Sequence, residues 1–315
     1  MKIKLLKKTE WAGHEFEFAP GYTFTLDHAC RDYDWLVVYD EMPCEEKLFC
    51  PWQHTILATQ EPVSVKSYSQ AYVRQFAHYL TNRPFEAERH PGWFFGQGYY
   101  LWYNGHSLEE LKNLDFSKKD KLLSAVCSSK QMRHTKHHAR LQLMRRLSER
   151  LEGFDWYGRG VKPIGKKYEA LDSYRYHVAI ENHIGAGHWS EKVADALLSE
   201  CLPFYAGDPE LGKALPPDSF IPIPIDDPEK AAEIIEKSVA DGEYEKRRAS
   251  VLEAKRLLFE KYNLHAQIIR LIETAEETDG RPRTRLFPRK ALRWRSLSAA
   301  LEDGWHHFLQ YLKMV

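Results

Sequence analysis

The 315-residue sequence predicts an α/β protein of two doubly wound domains that face a cleft. Three observations predict it. Short apolar runs alternate with amphipathic stretches, the signature of parallel sheets with right-handed crossovers. The pattern is interrupted by the charged, turn-like stretch LEELKNLDFSKKDK (108–121) and then restarts. The length is enough for one large domain or two ordinary ones, and the restart selects two.

The elements follow in order. DWLVVYDE (34–41) and HTILATQE (54–61) are apolar runs ending in polar residues, as buried parallel strands with loops at their carboxyl ends do. SYSQAYVRQFAHYLTN (67–82) carries helical periodicity, and the aromatic, glycine-rich PGWFFGQGYYLWYNG (91–105) reads as irregular. After the junction, KLLSAVCSS is a strand and HHARLQLMRRLSERL a helix. FDWYG and YRYHVAIEN are strands, SEKVADALLSE is a helix and LPFYAG a strand. PEKAAEIIEKSVAD, with Asp226-Asp227 as its N-cap, and EYEKRRASVLEAKRLLFEKY are helices. The domains are therefore placed at 1–117 and 118–280, with a tail at 281–315. The tail is basic at its start and aromatic throughout. It reads as a helix crossing back onto the N-terminal domain, the preferred reading, or as an amphipathic helix lying on a membrane.

Composition excludes some classes. Lys plus Arg and Asp plus Glu both number 45, so the chain lacks the basic excess of a nucleic-acid binder. The five cysteines, Cys30, Cys44, Cys50, Cys127 and Cys201, form no disulfide framework. No stretch approaches the roughly 18 apolar residues of a membrane span. A cytoplasmic protein with free thiols is expected, peripheral to the inner face of the membrane if the tail binds lipid.

In an open parallel sheet, ligands bind beyond the carboxyl ends of the strands. That rule selects Glu61 after ILATQ, the stretch after SAVCSS that leads to Arg140, and the stretch after YHVAIEN. In the third, Glu181 and Asn182 end the strand, and Ile184-Gly185-Ala186-Gly187 lets the backbone turn tightly. Ser190 is the N-cap, and Glu191 suits the positive end of the helix dipole. Lys192 does not suit it. A phosphate arriving at the free amides of that turn would explain the lysine, and so would a side chain pointing to water.

YRYHVAIEN (174–182), WSEK (189–192), LPFYAGDP (202–209) and PPDSFI (216–221) occur in one order and spacing across about 50 residues. Together they resemble the donor-binding half of the family 10 glycosyltransferases, the α-1,3/4-fucosyltransferases. AVCSSKQMRHTKHHARLQLMRRL (125–147) resembles the family's strand and arginine-bearing helix, and ILATQEP its strand ending in T-G-E-N or E-S-P. The resemblance is strong over about 122–240 and weak before 120.

The resemblance implies a GT-B fold of two Rossmann-like domains, the N-terminal one binding acceptor and the C-terminal one the nucleotide. It implies inverting transfer of fucose from GDP-fucose to a glycan or lipopolysaccharide hydroxyl, without metal or cofactor. Glu61 would be the base, with Glu41 and Asp40 as rivals. Arg140 and Lys192 would clamp the diphosphate. Glu191 would orient the donor, with Ser190, Asn182, Glu181, Trp189 and Lys130 completing its site. Guanine would stack on Trp189 or Tyr157. The chain departs from the family at His183, His188 and Trp189, all on the donor side, so another donor sugar, or a non-catalytic nucleotide-binding protein, stays open. His134, His137 and His138 lack the paired spacing of a metal site. Arg133, Arg140, Arg145 and Arg146 read mainly as a solvated helix face.

Overall fold

The computed structural model describes residues 1–8, 15–59, 61, 66–83, 90–96, 104–128, 137–182, 184–276 and 281–312. Two compact units divide the chain: Met1–Gly98 with Leu264–Val315, and Tyr99–Asn263. The boundaries expected at 117/118 and 280/281 thus fall about 20 residues earlier in the chain.

The first unit opens with β1 (Lys2–Leu6), β2 (Glu15–Ala19) and β3 (Tyr22–Thr25). Then come β4 (Trp35–Tyr39), β5 (Glu46–Lys47), β6 (Thr55–Thr59), the single helical turn α1 (Gln70–Val73), β7 (His78–Thr81) and β8 (Trp93–Phe95). Seven strands form one sheet in the order β2-β3-β1-β4-β6-β7-β8. Its pairings are parallel except β2 with β3. The predicted strands at 34–41 and 54–61 are β4 and β6. The helix expected over 67–82 is not there: one turn of helix is followed by a strand. Tyr72, Phe76 and Tyr79 mimic a helical stripe, but all four residues of His78–Thr81 are buried, which suits a strand covered on both faces. Trp93–Phe95, expected as irregular, extends the sheet.

The second unit begins with α2 (Leu108–Asn113), where a turn-like segment was expected. Ser107 and Glu110 form a capping box, each side chain accepting the other's backbone amide, and this starts a helix in a highly charged stretch. There follow β9 (Lys121–Val126), α3 (His137–Arg150), β10 (Phe154–Tyr157), β11 (Tyr174–Ile180) and α4 (Glu191–Leu198). The unit closes with β12 (Leu202–Ala206), β13 (Ile221–Pro222), α5 (Pro228–Ala240) and α6 (Glu243–Leu257). Asp227 caps α5 as expected: its side chain accepts the Lys230 amide at 3.1 Å, with Pro228 in the first turn. The sheet is wholly parallel, in the order β10-β9-β11-β12-β13. Strand β10 lies on one side of β9, and the chain then returns to the other side with β11. The topological switch point therefore lies between β9 and β11. Helix α3 packs on α5, α4 packs on α6, and Leu123, Leu143, Val178, Val193 and Phe204 lie in one continuous core.

The chain then returns to the first unit with α7 (Leu264–Thr274), β14 (Arg285–Leu286), α8 (Arg289–Arg295) and α9 (Leu297–Leu312). Strand β14 pairs antiparallel with β5, and Leu286, Leu292 and Ala299 join the core around Tyr72 and Phe76. The crossover reading of the tail accords with this return. Among the described residues no helix is long and apolar enough to cross a membrane. All five cysteines are unpaired.

Candidate active site

The carboxyl ends of β9 and β11 carry most of the residues singled out in the sequence. Ile180 ends β11 and Glu181 follows, 1% exposed. A carboxylate so deeply buried needs partners, and Glu181 has three. Its Oε1 accepts the Ser190 amide at 3.0 Å, its Oε2 accepts the Ser190 hydroxyl at 2.6 Å, and the Lys192 Nζ lies 3.4 Å away. Glu181 thus closes the glycine loop onto the start of α4.

This pairing accounts for Lys192. Its ammonium donates to Ser190 Oγ at 3.1 Å and to Glu191 Oε1 at 3.0 Å, while a fifth of its side chain remains exposed. Burial works against its charge, but Glu181 and Glu191 outweigh burial and raise its pKa. Glu191 is lowered to about 2: burial pushes it up, and Lys192 and Lys167 more than offset that. Both groups stay ionised over any physiological pH. The lysine that conflicts with the helix dipole is held there by a buried carboxylate, and it does not simply point to water.

Arg140, in the first turn of α3, reaches the same place from β9. Its Nη1 donates to Asn182 Oδ1, the side chain is 6% exposed, and its buried Nε has no hydrogen-bond partner. Arg140 also opposes the charge on Lys192, which places the two cations near each other. Two cations therefore lie near the start of α4 at the switch point, an arrangement that suits an anion with several oxygens.

A second layer, not singled out in the sequence, supports this one. Lys167 Nζ is 2.6 Å from Asp195 Oδ2, and Asp195 is fully buried one turn beyond Glu191 on α4. Burial raises the Asp195 carboxyl to about 7, against the pull of Lys167. Asp208, past β12, accepts the Glu210 amide at 2.8 Å and an amide hydrogen bond from Gly187, and burial raises its pKa. Asp208 thereby ties down the glycine loop, where Gly187 adopts φ 75°, a conformation that favours glycine. Gly207 is obligatory for a different reason: a Cβ there would stand 2.1 Å from the Tyr205 hydroxyl oxygen and 2.6 Å from Glu181 Cγ. Asp195 was legible as the residue four positions beyond Glu191 on the same helix face. Asp208 lies within LPFYAGDP, and nothing local marks Lys167. Beside this site, Ile184, Asp208, Phe220, Ile223 and Asp226 line part of a pocket of about 300 Å³.

Two expectations are corrected. Trp189 is 1% exposed and packs edge-on against Tyr262 with ring centroids 5.6 Å apart. Tyr157 is also buried, its hydroxyl 2.7 Å from that of Tyr174. A stacking surface must offer an open face, and neither ring does. Lys130, Arg133, His134 and His183 lie outside the described residues, as do the side chains of His137 and His138.

In the first unit, Glu61 lies exposed just past β6. Its carbonyl accepts the Arg83 Nε at 2.8 Å, and the same buried guanidinium donates to the Lys66 carbonyl at 2.5 Å. Its rivals are committed elsewhere. Glu41 lies 3.0 Å from Lys66, 3.3 Å from Arg289 and 3.6 Å from Lys8, and these cations hold its pKa down despite burial. Asp40 pairs with Lys66 and keeps a positive φ of 67°, and burial raises its pKa.

Residues 116–243 match the sequence profile of Glycosyltransferase family 10 (fucosyltransferase) C-term. The alpha-(1,3)-fucosyltransferase FucT of Helicobacter pylori is 36% identical over 58 residues, a match spanning 18% of this chain and 12% of that protein. A crystal structure of an alpha1,3-fucosyltransferase with GDP-fucose superposes with TM-score 0.51 at 16% identity, covering 89% of this chain and 92% of the other. At that identity the likeness shows the fold, and the fold class is GT-B.

Proposed function

We propose, from the match of residues 116–243 to the glycosyltransferase family 10 profile, that the protein is an inverting glycosyltransferase. In this reading it moves fucose from GDP-fucose to a hydroxyl of a glycan or lipopolysaccharide acceptor. One observation carries the reading: Arg140 and Lys192 meet at the switch point of the second sheet, with Glu181 and Ser190 fixing the lysine. An inverting transfer needs one base in line with the anomeric carbon and charge stabilisation on the leaving diphosphate. Arg140 and Lys192 supply the second requirement, so the chemistry needs no metal. Glu191, ionised and at the helix start, orients the donor. Asn182 holds Arg140, and Glu181 and Ser190 hold Lys192, so these three act by positioning.

Glu61 is the base in this reading. It is exposed past the carboxyl end of β6, whereas Glu41 is held by three cations and is a poor proton acceptor. The free thiols accord with work in the cytoplasm.

The test is release of GDP from GDP-fucose with a panel of glycan acceptors, for wild type, Arg140→Ala and Lys192→Ala. Either substitution should raise the donor KM or abolish turnover. Unchanged kinetics in either variant would refute the clamp.

A further inference from the structure

We infer that Lys167 is a positioning residue of the donor site, pinning the start of α4 from outside the helix. The inference rests on the transferase reading for its effect on turnover, but not for the pin itself. Lys167 opens a short turn, Lys167–Ala170, on the connection from β10 to β11. The turn is fixed to the sheet. Ser124 Oγ on β9 donates to the Ala170 carbonyl and lies 2.8 Å from Nδ1 of the buried His177 on β11. Ala170 and Leu171 pack with Ala196 of α4 in one apolar cluster. Asp172 Oδ1, just past the turn, accepts the Ser199 hydroxyl at 2.9 Å.

From that base Lys167 reaches α4. Its Nζ donates to Asp195 Oδ2 at 2.6 Å and to the Glu191 carbonyl at 3.5 Å. One ammonium therefore spans the first turn of α4, from Glu191 to the residue four positions on. It is a second lysine set against the positive end of this helix dipole, where Lys192 already stands. Its charge also bears on the Glu191 side chain: burial pushes that carboxyl up, and Lys192 and then Lys167 hold it down.

Packing alone does not explain the pair. The contacts of Ala170 and Leu171 with Ala196 already join the turn to α4. A buried ion pair adds little net stability over apolar side chains of like size, and Asp195 Oδ1 is buried with no hydrogen-bond partner. What apolar contacts do not supply is a cation that holds both the backbone and the charge of Glu191. In the donor reading Glu191 orients the sugar nucleotide and Lys192 holds its diphosphate, so a shift of this turn misplaces both.

The test compares wild type with Lys167→Met, Lys167→Arg and a double variant, Lys167→Met with Asp195→Asn. The double variant leaves no stranded carboxylate, which covers a single variant that folds poorly. Hydrogen exchange of the ligand-free protein comes first. Amides over 190–198 should exchange at least about tenfold faster in Lys167→Met and in the double variant, and near the wild-type rate in Lys167→Arg. Donor kinetics are then read from GDP release from GDP-fucose. Donor KM should rise about tenfold or more in both methionine variants, acceptor KM should hold, and Lys167→Arg should recover most of the loss. A residue that only stabilised the fold would lower the active fraction and leave donor KM unchanged. Unchanged exchange over 190–198, an unchanged donor KM in the double variant, or Lys167→Arg no better than Lys167→Met would each overturn the inference. A wild type that releases no GDP would refute the transferase reading, and the exchange measurement alone would then decide the pin.

Discussion

Two clusters of carboxylates and cations sit past strand ends in this protein, and they use the same groups to opposite ends. In the second unit, Glu181 is buried beneath Ser190 and Lys192, and it presents the lysine at a helix start beside Arg140. In the first unit, Lys66 and Arg289 close on Asp40 and Glu41 and tie the returning α8 to the strand ends. Ion pairing by itself does not mark a functional site. What separates the clusters is where the charge is directed. In the second unit Arg140 binds a neutral amide, Asn182, and adds its charge beside the paired Lys192, whereas in the first unit Lys66 and Arg289 are both paired with carboxylates.

The sharpest break of that comparison is between Lys192 and Lys66. Arg140→Ala or Lys192→Ala should cost about 10² or more in kcat/KM for the donor, as loss of a group that stabilises developing charge does. Lys66→Met should leave donor KM near wild type and lower the melting temperature, because it takes the ion-pair partner from the partly buried Asp40 and one of three cations from Glu41. Next in size is the base. Glu61→Gln should lower kcat by about 10² or more with donor binding intact, while Glu41→Gln should act on stability alone. If Glu41→Gln proves the slow variant, the roles of the two carboxylates are reversed.

A third test concerns Trp189. Trp189→Ala should destabilise by about 3–5 kcal/mol in chemical denaturation, as other large core truncations do. Trp189→Phe should leave GDP affinity unchanged, since the ring is 1% exposed. A large loss of GDP affinity in Trp189→Phe would restore it to the donor site.

The smallest effect is a pH slope. Asp195 is raised to about 7 in the folded protein, above its unfolded value of about 4. The folded state therefore binds the proton more tightly, and this group's contribution is full below about pH 4 and is lost as pH rises through 7. Relative to Asp195→Asn, wild type should lose stability between pH 4 and 7 and level off above that. Melting temperatures across that range check the sign.

The second unit was legible because its chemistry is local. Strand YRYHVAI, the Ser190 cap, and the order of WSEK and LPFYAG all lie within about 50 residues, and periodicity and motif agree there. The first unit was less so. Its helix over 67–82 was misread because Tyr72, Phe76 and Tyr79 repeat at helical spacing although two of them flank a strand start. Its second part arrives only after residue 263, and no sequence pattern announces that β14 pairs with β5, about 240 residues away. The capping box at Ser107 and Glu110 was readable and was outweighed by the charge around it. Trp189 lies inside the motif, and only tertiary packing against Tyr262 shows that it faces the core. Lys167 was hidden because it lies on the connection from β10 to β11, and its partner Asp195 is on α4, after β11.

The central claim is that the switch point of the second unit holds a nucleoside diphosphate. Thermal unfolding of wild type and Lys192→Ala with GDP, UDP, CMP and ADP tests it most directly. A ligand at 100 times its Kd stabilises the folded state by about 2.7 kcal/mol. GDP should raise the wild-type melting temperature more than the other nucleotides, and the shift should shrink or vanish in Lys192→Ala. A wild-type protein that no nucleotide stabilises, or a variant that GDP stabilises as fully as wild type, would contradict the account.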